Sequence, residues 1–237
     1  MIVSIMQPTF MPWLGYFDMI DKVDQFIFLD HVQLTKRSWQ VRNKIKIKDQ
    51  EKLVTIPIKK EKNRDETFIC SAKIDYSDHW HLKFLNSIEQ GYKNSKFYKE
   101  IFPLLEKVIK TKTSYLADLN INLITELSHQ MGMSTKFQRS SNMKTKGQKD
   151  KMLVEILKLT NCTNYLSAPG SYDYIERYNP GGEFTKNNIQ LFYHVYDHPT
   201  YNQLYGNFLS HLGILDLVFN VGLKNALQII KKGRTEN

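Results

Sequence analysis

Hydrophobic residues fill positions 2–6 (Ile-Val-Ser-Ile-Met), a run too short for a helix and apolar enough for a buried strand. Pro8 and Pro12 then interrupt regular structure, and residues 14–23 carry a helical spacing of apolar positions. Residues 25–29 form a second β-rich run that closes on Asp30. Strand, loop, helix and strand within about 30 residues is the spacing of a βαβ unit with parallel strands. Further on, Trp39, Val41, Ile45 and Ile47 alternate with Gln40, Arg42, Lys44, Lys46 and Lys48, which predicts a strand with one apolar and one polar face. Residues 53–58 predict another.

The middle of the chain changes period. Trp80, Phe84 and Ile88 recur at helical spacing, with Ser77 and Asp78 available as caps. Residues 98–110 predict a second helix, and residues 114–131 a third, whose Leu116, Leu119, Leu123 and Leu127 form a stripe before Gly132. Such stripes point to core packing rather than cofactor contact. Residues 139–151 read as a polar, basic connector, followed by a helix with Leu153, Ile156 and Leu157 inward. Residues 164–167 and 189–195 predict further strands. The reading is α/β: a Rossmann-like parallel sheet core, possibly nucleotidyltransferase-like, with a helical insertion. It covers a single domain over residues 1–230, with the insertion at about 77–132 and a flexible basic tail at 231–237. The pattern carries no strand order.

Composition narrows the partners. A chain of 237 residues can bury a substantial core, and a net charge of +9 points to an anionic partner or to a generally basic surface. Nucleotide phosphates, tRNA, an acidic carrier protein and a membrane surface all satisfy that charge. No stretch approaches the roughly 20 apolar residues of a membrane span, and the N-terminus lacks a signal peptide's basic region. A cytoplasmic location is therefore expected, with Cys70 and Cys162 as reduced, buried thiols. There is neither a P-loop nor a GxGxxG, and His79 and His81 would splay apart on a helix with no Cys or carboxylate cluster adjoining. No metal and no cofactor are expected.

The least ordinary stretch runs from Gln7 to Phe17. Two prolines stiffen it, Gly15 permits close backbone approach, and Trp13 and Tyr16 add large amphipathic rings. It joins the carboxyl end of a strand to the start of a helix, the edge at which α/β sheets bind ligands. A rigid turn with packed aromatics would look the same. Asp30, His31 and Gln33, then Arg37, Arg42, Asn43 and Lys44, leave the second strand toward that edge. Arg37 and Arg42 suit phosphate, while Asp30 or His31 could take a proton, although polar surface loops routinely hold such residues. Ser167 ends a strand in a Pro-Gly turn able to offer donors to an oxyanion, but it lacks the flanking glycines of a hydrolase nucleophile. His198 and Tyr201 offer another base and a hydroxyl, and Asp216 and Asn220 lie four residues apart; each could line a site or merely satisfy backbone.

Together these segments resemble the WbqC-like protein family. The stretches that carry the likeness are residues 7–17, Asp30-His-Val-Gln33, residues 37–46, Tyr165-Leu-Ser167, residues 198–203 and Asp216-Leu-Val-Phe-Asn220-Val-Gly222. Phe10 stands where Tyr is common, and Ala168 where Gly is common. The resemblance implies a bacterial protein of O-antigen, lipopolysaccharide or related polysaccharide biosynthesis. The implied reaction is N-acyl or N-aminoacyl transfer, possibly glycyl, to a nucleotide-linked amino sugar. The donor would be aminoacyl-tRNA, a carrier-protein thioester, acyl-CoA or an ATP-activated acid. On that reading His31, Asp30 or His198 is the base, and Asn43, Gln33 or N–H groups near Ser167 receive the oxyanion. Arg37, Arg42 and Lys44 hold the diphosphate; Trp13 or Tyr16 stacks on a ring, and Gln7, Tyr201 and Asn220 line the site. At fold level, residues 12–16 are also similar to the H-x-G-H region of nucleotidyltransferases and synthetases, with Trp13 and Tyr16 replacing the histidines. ATP-dependent activation, nucleotidyl transfer and a non-catalytic nucleotide-sugar or RNA-binding role are the alternatives.

Overall fold

The computed structural model describes residues 1–35, 37–60, 67–176 and 180–235, apart from the side chain of Tyr174. Its first strand, β1 (Ile2–Met6), is central. It pairs in parallel with β2 (Gln25–Phe28) on one side, and α1 (Leu14–Asp21) makes the crossover between them. Residues 29–135 then leave the sheet. They form an antiparallel hairpin of β3 (Arg42–Ile47) and β4 (Gln50–Thr55), followed by α2 (Trp80–Tyr92), α3 (Tyr98–Lys110) and α4 (Leu116–Gln130). The chain returns as β5 (Lys136–Arg139), parallel to β2 on the outside. After α5 (Lys149–Leu159), β6 (Asn164–Ser167) pairs with the free side of β1. The short helices α6 (Tyr172–Glu176) and α7 (Gly182–Lys186) lead to β7 (Gln190–Tyr193), and α8 (Ile214–Val221) and α9 (Leu223–Lys231) close the fold.

The order β5-β2-β1-β6-β7 is all parallel and reverses direction at β1. It is the doubly wound order whose ligand crevice opens at the carboxyl ends of the strands beside the reversal. The two-residue side-chain period sorts the core onto the two faces. Phe26 and Phe28 join α1, the inserted helices, α8 and α9, while Val3, Ile5 and Ile27 pack with α5 residues Leu153, Ile156 and Leu157. Covering both faces satisfies what a parallel sheet requires. The Rossmann-like core with a helical insertion is therefore present.

Local expectations differ in several places. The stretch read as a connector from residue 139 begins at the end of β5, an edge strand of only four residues whose sequence, Lys-Phe-Gln-Arg, has little apolar content. The strand expected at 53–58 lies three residues earlier, as β4. Helix α2 starts at Trp80 with no side-chain cap, and Asp78 pairs with Lys83 instead. Lys46, assigned to the polar face of β3, is 2% exposed, because loop 199–213 folds over it and takes its Nζ on Gln203 Oε1 (3.1 Å) and the Asn207 carbonyl (2.7 Å).

The expected flexible tail is docked as far as it is described. Arg234 donates to Asp18 Oδ1 (2.5 Å) and to Asp21, and residues 236 and 237 lie outside the described residues. Asp18 is fully buried on α1 and meets His194 Nε2 at 2.9 Å through its other oxygen. Cys70 and Cys162 are both free thiols, Cys162 buried and Cys70 partly so.

Candidate active site at the carboxyl edge of the sheet

The loops after β1, β2 and β5 leave the sheet side by side. The Leu29 amide bonds to the Met6 carbonyl at 2.8 Å, so Gln7 and Asp30 start from adjacent strand ends. Asp30 is wholly buried and fully engaged. Oδ2 accepts from Arg139 Nε (2.8 Å) and Ser141 Oγ (2.8 Å), and Oδ1 from the Ser141 amide (2.8 Å) and Ser140 Oγ (3.2 Å). Arg139 is itself shared with Asp118 at 2.6 Å. Four donors on one carboxylate satisfy the hydrogen-bonding capacity that its burial takes from solvent.

Ser140 carries the contact onward. Its oxygen lies 2.5 Å from His31 Nδ1 and also accepts the Asp30 amide at 3.0 Å. With the imidazole proton on Nδ1, the chain reads His31 N–H to Ser140 oxygen, then Ser140 O–H to the Asp30 carboxylate. The opposite nitrogen, Nε2, then presents a lone pair, with Thr145 Oγ1 at 3.2 Å. Burial lowers the His31 pKa below its ordinary 6.5, and the nearby Asp30 charge opposes this, so the ring is neutral at neutral pH. Asp30 and His31 lie beyond the end of β2, where the alternation of a strand no longer holds, and Ser140 joins them in one chain.

A second element lies over the start of α1. Met6, Thr9, Pro12, Trp13, Trp39 and His211, with Tyr16 and Asn43 behind them, line a cleft of about 300 Å³. A Cβ on residue 15 would stand 2.3 Å from the Trp13 ring, so the indole lies down on α1 only because residue 15 is Gly. Trp13 stacks on His211 at 5.4 Å, while Trp39 is half exposed with the Arg42 guanidinium 5.9 Å from its ring centroid. Thr9 Oγ1 and Arg42 Nε are buried with no hydrogen-bond partner among the described residues. Arg37 lies beyond, in a cleft of about 370 Å³ shared with Lys59 and Lys60. A wider cavity of about 820 Å³, between Met1, Asp24 and Lys136, opens at the amino ends of the strands, away from the reversal-side crevice.

The remaining candidates hold the scaffold in this structure. Gln7 Oε1 accepts from Gln40 Nε2 (2.5 Å), and Tyr16, its pKa pushed well up by burial, donates its hydroxyl to the Gln7 carbonyl (3.0 Å). Asn43 Nδ2 donates to the Phe10 and Met11 carbonyls at 2.8 and 2.7 Å, pinning a turn in which Met11 adopts φ 45°. Lys44 pairs with Glu51 across the β3–β4 hairpin at 2.6 Å. Gln33 bridges to Phe68. Ser167 is buried against Ser171 Oγ at 2.6 Å. Tyr201 donates to the buried Asp216 (2.9 Å), and Asn220 holds the Leu204 amide (3.1 Å). His198 Nδ1 faces the Pro199 carbonyl (3.1 Å), which can only accept, and Nε2 faces the His211 amide (3.2 Å), which can only donate. Both nitrogens are thus committed in the neutral ring. Burial and then the His211 charge lower its pKa accordingly.

Ser140, Ser141, Arg139, Thr145, Thr9 and His211 belong to this edge and were not among the sequence candidates. Thr9 lies within the stretch from Gln7 to Phe17, and Ser140 and Ser141 are marked only as a Ser-Ser pair closing a short strand, which pattern alone does not separate from linker. The chain resembles a Mycobacterium tuberculosis (strain ATCC 25618 / H37Rv) protein, "Uncharacterized protein Rv1507c", at 32% identity over 222 residues, 93% of this chain and 94% of that one. No solved structure matches it. The sequence pattern of one family spans residues 7–228, from the Gln7 loop through the Asp30 and Ser140 edge into α9: the chain belongs to the WbqC-like protein family.

Proposed function

We propose that the protein transfers an acyl or aminoacyl group, with glycyl as one candidate, to the amino group of a nucleotide-linked amino sugar in surface polysaccharide biosynthesis. The observation that carries this is the Asp30–Ser140–His31 chain at the ligand-binding edge of a doubly wound sheet. Amide formation needs a base for the attacking amine, and Nε2 of His31 supplies it. As the imidazole gains charge, Nδ1–H and the Ser140 hydroxyl pass the stabilising field of the Asp30 carboxylate to it. Asp30 thereby orients the base instead of acting as one, and His198 shapes the wall behind Trp13. The nucleotide lies over Trp13 and Trp39, with its phosphates toward Arg42 and Arg37.

The test is product formation by the purified protein from a nucleotide-linked amino sugar and a donor panel: acyl-CoA, carrier-protein thioester, aminoacyl-tRNA, and free acid with ATP. An amide-linked sugar from one donor is expected. Pyrophosphate release without amide would replace this reading with nucleotidyl transfer, and binding without turnover would replace it with an accessory role. Binding itself gives a separate prediction. Arg37→Ala and Arg42→Ala should each weaken nucleotide-sugar affinity by about 1.5–3 kcal/mol in calorimetry, the worth of a hydrogen bond to a charged group. Unchanged affinity in both variants would remove the diphosphate role.

A further inference from the structure

The hydrogen-bond chain does not stop at His31. Thr145 Oγ1 lies 3.2 Å from Nε2, at the limit of the reach over which a base activates a hydroxyl. The line therefore runs carboxylate, serine, imidazole, threonine, which is nucleophile, base and orienting acid with one hydroxyl inserted. Of the two hydroxyls in it, Ser140 is fully buried, whereas Thr145 is half-buried on the loop that precedes α5; Ser141, beside the line, donates to Asp30. That loop is held in place. The Lys146 and Gly147 amides both donate to Glu155 Oε2, at 2.8 and 3.0 Å, fixing the backbone directly after Thr145. The neighbouring Cys70 is a poor rival: burial, together with the Asp30 charge, raises its thiol pKa and keeps it protonated.

Resting on the transfer reading, we propose that Thr145 is the nucleophile, carrying the acyl group as an ester between donor and acceptor. In the first half-reaction Oγ1 attacks the carbonyl carbon of a donor ester or thioester, and its proton passes to His31 Nε2. The bond from that carbon to the donor's oxygen or sulfur breaks, and the departing atom takes the proton from Nε2. In the second half-reaction the neutral amine of the sugar attacks the Thr145 ester and loses a proton to Nε2. The ester bond then breaks, Thr145 regains its proton, and the amide leaves.

The full-length protein is mixed with p-nitrophenyl acetate, a small activated ester, and followed by nitrophenolate release, intact mass and peptide mapping. The expected result is a burst of one nitrophenolate per chain and one acetyl group mapped to Thr145. Thr145→Val, which keeps the side-chain shape without the hydroxyl, should slow the burst by about a hundredfold or more and carry no acetyl at that position. Thr145→Ser should restore both, which a purely structural role would not predict. A wild-type burst in Thr145→Val, or no mapped acetyl in the wild type, overturns the assignment. Transfer to the amino sugar at the normal rate by Thr145→Val but not by His31→Gln would mean direct attack by the amine. This inference would then fail while the proposed function stands.

Discussion

His31→Gln should fold normally and transfer its acyl group about 10²–10⁴-fold more slowly, the usual contribution of a positioned general base. Glutamine retains an amide N–H for Ser140 but has no nitrogen that titrates. The pH profile provides the second readout. Burial lowers the His31 pKa, with the Asp30 charge only partly opposing it, so the wild-type rate should fall in acid around a midpoint below 6.5. There Nε2 is already protonated and accepts nothing further. The acid limb should disappear from whatever activity the variant retains. Normal turnover in His31→Gln would leave a carboxylate, or no protein base, as the alternatives.

The largest loss of stability is expected at Asp18. Its two oxygens serve His194 and Arg234 in a buried site, and removing one partner of such a pair costs about 3–5 kcal/mol. Against a typical total of roughly 5–15 kcal/mol, Asp18→Ala should lower the urea midpoint strongly. A midpoint equal to wild type would show the network to be energetically idle. Burial alone would raise the Asp18 pKa, but the hydrogen bonds from His194 and Arg234 outweigh it and hold the group below its ordinary 3.8. The stabilisation it gives is therefore complete above the unfolded value and lost as pH falls through the lower, folded one. Stability should consequently decline less steeply in acid in Asp18→Ala than in the wild type.

The parts of this fold legible in the sequence are those in which one short segment suffices. The run at 2–6, the spacing of α3 and the strand at 164–167 each bury enough apolar surface to mark themselves. β5 does not, because an edge strand with Lys, Gln and Arg among its four residues has little to bury. The burial of Lys46 is hidden for another reason: its acceptors come from Gln203 and Asn207, on a loop some 160 positions away whose path no local pattern encodes. The site divides in the same way. The loops around Trp13 and His31 are legible as candidates because strand ends in a βαβ unit point to a common edge. Ser140 was missed because its value comes entirely from lying against Asp30 and His31, more than a hundred residues earlier.

The placing of β1 at the middle of the sheet also sets the order in which the protein can be finished. Its free edge waits for β6, and the Asp18 carboxylate waits for Arg234, 216 residues downstream. At about 5–20 residues per second, a ribosome takes roughly 10–40 s to supply that guanidinium. Until β6 is made the nascent chain presents an unpaired apolar strand, and until Arg234 is made an α1 carboxylate without its guanidinium, an invitation to wrong partners that holding chaperones exist to cover. Pairing with β6 and the arrival of Arg234, rather than emergence of the first βαβ unit, supply these partners.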